Sequence, residues 1–156
     1  MFTLSKTQSF NYLDTILSDL IRSAAFVYRR EWILMSMNTD IANVIHKLAA
    51  TGLEGLEYVH KNNMEGQFEN TVTVLSDIVE AFNEIEQALN NNGFLEDSSD
   101  LDLATQSLRD GFDWIVSAYE RQEDGRKDDI MELTLLPRYK AWQGEIGRCL
   151  GKYLLV

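Results

Sequence analysis

Apolar residues recur along most of this chain at intervals of three and four, the period of one face of an α-helix. Between residues 7 and 30 they fall at Phe10, Leu13, Ile16, Leu17, Leu20, Ile21, Ala24 and Val27, which predicts a helix able to run on through Trp32, Ile33, Leu34 and Met37. Asn38-Thr39-Asp40 are good capping residues and are expected to end it. A second stripe, Ile41, Val44, Ile45, Leu48, Leu53, Leu56 and Val59, predicts a helix closing near Lys61-Asn62-Asn63. Gly52 and Gly55 interrupt it. Each costs a helix interior up to about 1 kcal/mol relative to Ala, so the pair marks a close helix contact or a local break.

Beyond the polar turn Asn62-Asn63-Met64-Glu65-Gly66, a third helix has Phe68, Val72, Leu75, Ile78, Val79, Phe82, Ile85 and Leu89 inward and Glu69, Asp77, Glu80 and Glu84 on the other side. Asn90-Asn91-Asn92-Gly93 is a strong stop. Residues 94–100 are expected as a loop, with Ser99 capping a fourth helix and Asp102 three positions on completing a variant capping box. Leu108, Phe112, Ile115, Val116 and Tyr119 form that helix's inner face, and Asp124-Gly125 is expected to close it. The last segment, from about residue 127, aligns Leu136, Tyr139, Trp142, Ile146, Cys149, Leu150 and Tyr153. Pro137 lacks an amide donor and crowds the carbonyl four residues back, so a kink or break is expected there. The expectation is an all-α protein in a single domain over residues 1–156: a mainly antiparallel bundle of four to five helices, the last kinked or broken near Pro137.

Composition fits this picture. One proline and nine scattered glycines are too few to punctuate an all-β fold. The amino end lacks the apolar core of a signal peptide, and no apolar run nears the ~20 residues of a membrane span. The single cysteine, Cys149, has no internal partner for a disulfide. A cytoplasmic location is expected. The net charge of -11 sharpens the functional reading, because residues 62–108 contain no Lys or Arg. They carry Glu65, Glu69, Asp77, Glu80, Glu84, Glu86, Glu96, Asp97, Asp100 and Asp102, nearly the whole excess. Such a block repels phosphate, which argues against direct binding to nucleic acid or membrane, and it attracts a basic partner or simply solubilises a helix face.

Candidate chemistry is sparse. Glu57-Tyr58-Val59-His60 matches the Glu-x-x-His step of carboxylate-bridged di-iron bundles, but those need it twice, and the second histidine, His46, is preceded at the matching position by Asn43. Asp97-Ser98-Ser99-Asp100-Leu101-Asp102 fails as a calcium loop because Leu101 stands at a ligand position and Asp102 replaces the required glycine. Cys149 lies on the apolar stripe, away from any evident base. No catalytic, cofactor or metal set emerges, so the expectation is not an enzyme. Trp32 and Trp114 sit beside charged residues, off the apolar stripes, where tryptophans often anchor interfaces. With Glu69, Asp77, Glu80 and Glu84 they are the candidate partner-binding residues.

Leu53-Glu54-Gly55-Leu56-Glu57-Tyr58-Val59 before an Asn-rich turn, Val79-Glu80-Ala81-Phe82-Asn83-Glu84-Ile85, and Phe112-Asp113-Trp114-Ile115-Val116-Ser117-Ala118-Tyr119-Glu120 before an acidic turn and a closing helix with Trp142 together form a pattern. It resembles the flagellin export chaperones, small acidic helical bundles of bacteria. The resemblance implies a chaperone that offers apolar grooves between its helices to amphipathic helices of an exported partner. The expected function is therefore a non-enzymatic protein-binding bundle, chaperone-like, that can also self-associate. The rivals are an acidic inhibitor or nucleic-acid mimic that blocks a basic site, and a metal-dependent enzyme built on Glu57 and His60.

Overall fold

The computed structural model describes the backbone of residues 27–154 and the side chains of residues 37–154. The first predicted stripe up to residue 26 and the side chain of Trp32 lie outside the described residues. The chain divides into two compact units, Met1–Asn38 and Thr39–Val156. In the first, the described residues are helical. The second is an all-α bundle, and among the described residues there is no strand.

Helix α1 spans Val27–Met64, so the stop expected at Asn38-Thr39-Asp40 does not occur. Those residues have only moderate helix propensity, but none is Gly or Pro, and a capping side chain ends nothing where the chain keeps helical angles. The buried stripe of α1 is Ala42, Ile45, Ala49, Gly52, Leu56 and Val59. This is rotated from the expected one: Ile41, Leu48 and Leu53 are only partly buried and Val44 is exposed. Two alanines and a glycine hold the central track, because small residues let a neighbouring helix come close. A Cβ on Gly52 would land on the Tyr139 hydroxyl, and one on Gly55 would sit 2.9 Å from Ile78 Cδ1. Both glycines therefore mark close contacts and neither marks a break.

Helix α2, Thr71–Asn91, buries Thr71, Leu75, Ile78, Phe82, Ile85 and Leu89. Phe68 and Val72, expected inward, are exposed. Phe68 precedes the helix in a loop whose last residue, Asn70, adopts φ 68°, and Val72 begins the first turn on the solvent side. The stop at residues 90–93 occurs as expected: Asn92 N–H donates to Ala88 O, and Gly93 takes φ 75°. The expected loop contains a short helix, α3 (Phe94–Asp97), with Phe94 buried against Tyr153.

Ser98, and not Ser99, caps α4 (Ser99–Glu120): its φ and ψ are extended, and its Oγ accepts from Leu101 N–H at 3.2 Å. The third residue after the true cap is Leu101, so the capping box does not form. α4 buries Leu101, Thr105, Leu108, Gly111, Phe112, Ile115 and Ala118. It ends through Gln122 at φ 56°. Asp124-Gly125 accordingly opens the next helix, α5 (Asp124–Ile130), instead of closing α4. A π turn, Met131–Leu135, joins α5 to α6 (Leu136–Leu154). The disturbance at Pro137 thus takes the form of one widened turn, in which Leu136 N–H bonds to Met131 O. The register opens ahead of the proline, where a regular α turn would press its ring on a carbonyl.

The centre is aromatic. Phe82 lies 5.1 Å from Phe112 and 5.4 Å from Trp142 between ring centres, and Tyr139 lies 5.2 Å from Trp142. Both polar tips are satisfied: Trp142 Nε1–H donates to Thr105 Oγ at 3.1 Å, and the Tyr139 hydroxyl donates to Ala49 O at 2.8 Å. The Thr105 hydroxyl donates in turn to Leu101 O at 2.7 Å. α4 packs along α6, and rings from α2, α4 and α6 meet in one core.

Candidate partner-binding face

The rotation of the α1 stripe leaves apolar residues outside the core. Ile41, Val44, Ile45 and Leu48, at helical spacings of three and four, face Ile85 and Ala88 of α2 across a groove of about 360 Å3. Ile45 and Ile85 are buried, whereas Val44 is 56% exposed. Asp40 and Glu84 complete the lining and are both exposed. The result is an apolar trough with carboxylates on its rim.

Glu84 belongs to a row on α2. Asp77, Glu80 and Glu84, spaced by three and four, share the solvent face and are all exposed. None forms an ion pair with a described residue. Other acids of the same block are engaged: Glu86 pairs with Arg109, Asp100 with Arg148 at 3.1 Å, and Asp102 accepts from Gln106 at 2.9 Å. Glu69 is separate from the row. It lies in the loop before α2 and lines a cavity at the end of α1 with Tyr58, Asn62 and Phe68.

Trp114 is 50% exposed and stacks against the guanidinium of Arg138, 4.7 Å from the ring centre. Arg138 is itself held by a 2.7 Å bond to Ser107 O. Trp114 also lines a small cleft of about 170 Å3 with Arg121 and Glu123, in the link between α4 and α5, and Arg126 of α5. The sequence-selected residues therefore divide: Asp77, Glu80 and Glu84 come together beside the groove, while Glu69 and Trp114 stand at other sites and the Trp32 side chain is outside the described residues.

Glu57 and His60 do not converge on a third ligand. Glu57 is exposed and pairs with Lys140 at 3.7 Å, and His60 Nδ1 is buried without a hydrogen-bond partner. Among the described residues no group of three or more His, Cys, Asp and Glu is placed to hold a metal ion. Cys149 packs against the core, partly buried. Among the same residues no helix is long and apolar enough to cross a membrane.

A family model matches residues 40–145, more than half of the chain. The chain belongs to the DUF8042 family, a domain of unknown function. No curated protein and no solved structure matches it. The DUF8042 segment begins at Asp40, on the groove's rim, and contains every residue of the groove and of the acidic row.

Val44 was missed as a surface residue because a stripe of large apolar side chains reads as core. The signal available in the sequence was the parallel track of Ala42, Ala49 and Gly52, which makes the apolar sector of α1 wider than one packed neighbour covers. Arg138, the cation over Trp114, lies remote in sequence and carried no local mark.

Proposed function

We propose that this protein is a non-enzymatic, chaperone-like bundle that holds an amphipathic helix of a basic protein partner in the groove between α1 and α2. The observation that carries the reading is the pairing of an apolar trough, with half-exposed Val44 on its wall, and a rim and row of unpaired carboxylates, Asp40, Glu84, Glu80 and Asp77. An apolar stripe at spacings of three and four would lie against Ile41, Val44 and Leu48, and flanking Lys or Arg would meet the acids. Charge would set orientation and association rate, and apolar burial the lifetime of the complex.

The test uses a Leu-stripe helical peptide with Lys on its flanks, titrated against the full-length protein by fluorescence anisotropy. Val44→Asp is expected to abolish binding, while Val72→Asp, equally exposed but outside the groove, leaves it intact. Equal loss in both variants, or in neither, would overturn the reading. The rival, an acidic mimic of nucleic acid, is favoured by the Asp77, Glu80 and Glu84 row alone. It predicts that Glu80→Lys abolishes binding to a basic target while Val44→Asp does not.

A further inference from the structure

Helix α1 carries a second seam beside the one that enters the core. The buried residues Ala42, Ile45, Ala49, Gly52, Leu56 and Val59 alternate steps of three and four. Ile41, Val44, Leu48 and Thr51 repeat those steps one position earlier, and on this outer seam Val44 is half-exposed while Ile41 and Leu48 are only partly buried. In the sequence the repeat is long: Leu13, Leu20, Val27, Leu34, Ile41 and Leu48 put a branched aliphatic residue at every seventh position. An average step of 3.5 residues keeps one face in line along a left-handed supercoil, the seam of a coiled coil. The inner seam meets the protein's own bundle, so the outer one has room for a further helix, with Ile85 and Ala88 of α2 as the second wall.

The charges beside the outer seam select what that helix is. Asp40, Lys47 and Glu54 are exposed, each one heptad from the next. Neither Asp40 nor Lys47 forms an ion pair with a described residue. Two copies of this seam, laid antiparallel about a two-fold axis with Ile41 of each against Val44 of the other, bring Asp40 of each copy beside Lys47 of the other. Sliding the pair by one heptad, so that Val44 faces Leu48, sets Lys47 against Lys47 and Asp40 against Glu54. A parallel pair aligns Asp40 with Asp40 and Lys47 with Lys47. The first register alone joins opposite charges, and it does so twice because a two-fold interface repeats every contact.

We propose that two copies of the chain pair antiparallel through the outer seam of α1, each closing the other's groove between α1 and α2. Apolar burial at Ile41, Val44 and Leu48 holds the copies together, and the two Asp40–Lys47 pairs fix direction and register. The consequence for regulation rests on the function proposed above: the trough that receives a partner helix is capped in the free protein by a second copy. Self-association and partner binding then exclude one another, and a partner pulls the dimer apart by mass action.

The experiment is sedimentation equilibrium of the full-length protein over a wide range of concentration, repeated with the Lys-flanked peptide. A reversible monomer–dimer equilibrium is expected, shifted to monomer as peptide saturates. Asp40→Lys or Lys47→Asp alone turns both ion pairs into repulsions and is expected to weaken the dimer about tenfold. The double variant Asp40→Lys/Lys47→Asp restores the pairs with their signs exchanged and should return the dimer to its parental strength. All of these positions are exposed, and melting curves confirm that each variant is folded. A monomer at every concentration overturns the inference, and peptide binding by that monomer would leave the proposed function standing. A dimer that survives either single reversal, a double variant that stays weak, or peptide bound to an intact dimer also overturns it. A dimer rescued by the exchange in a protein that binds no peptide supports the antiparallel seam and sinks only the reading of the groove as a partner site.

Discussion

Tyr139 joins α6 to α1 through one hydroxyl, which donates to Ala49 O in the notch left by Gly52. The absent Cβ and the hydroxyl are a matched pair, which makes their energetics non-additive. Gly52→Ala is expected to destabilise the fold by about 1–3 kcal/mol through overpacking. Tyr139→Phe should cost about 1 kcal/mol for the lost hydrogen bond. Combined, they should cost less than their sum, because the added methyl no longer meets an oxygen; urea denaturation of the four-member cycle measures the coupling. Burial also pushes the Tyr139 phenol well above its ordinary value. The folded state then keeps a proton that the unfolded chain gives up near pH 10, so this contribution is intact below about pH 10 and is lost as pH rises beyond it. In an alkaline titration Tyr139 should form tyrosinate only as the protein unfolds, and Tyr139→Phe should flatten the alkaline limb of the stability curve. Parallel ionisation of every tyrosine before unfolding would contradict the buried placement.

At the scale of elements, the π turn Met131–Leu135 and Pro137 depend on one another. Met131 and Leu135 are fully buried on one side of the turn, and Tyr139 and Trp142 continue the buried track beyond it, whereas Leu133 is exposed. Deleting Leu133 should therefore return the segment to α spacing with the core faces still in register, but with the proline ring set against a carbonyl, at a cost of about 3 kcal/mol. Adding Pro137→Ala should recover most of that loss, and thermal melts of the single and double variants would show it. Recovery that failed would mean the widened turn serves packing alone. The same segment shows where sequence reading succeeds and stops. A disturbance at Pro137 was legible because missing donor and ring clash are properties of one residue, and the Asn90–Gly93 stop because an αL glycine is local as well. The choice of Ser98 over Ser99 as cap was not legible: both carry the same hydroxyl, and the burial of Phe94 and Leu101 on either side decides which one turns the chain. Likewise the dipeptide Asp124-Gly125 reads equally as a stop or a start, and it is Gln122 that bears the positive φ. The groove was hidden for a different reason, since the phase of the α1 stripe depends on which neighbour packs against Ala42 and Ala49.

On the whole molecule, the excess of negative charge is a stability problem that the fold only partly relieves. Glu86, Asp100 and Asp102 have partners, but Asp77, Glu80 and Glu84 repel one another at spacings of three and four along α2, and each such like-charge pair costs about 0.2–0.5 kcal/mol. Glu80 takes part in both pairs. Glu80→Lys should therefore raise stability by about 1–2 kcal/mol, since two repulsions become two attractions of similar size. Added salt should raise the melting temperature of the parent protein more than that of the variant, because screening removes the same repulsion. If the row serves a basic partner, the more stable variant must bind the Lys-flanked peptide more slowly, with a flatter dependence of association rate on ionic strength. A merely solubilising row predicts the stability gain without the kinetic loss. Measuring both on the same protein thus separates a face retained for recognition from one that only keeps the chain in solution.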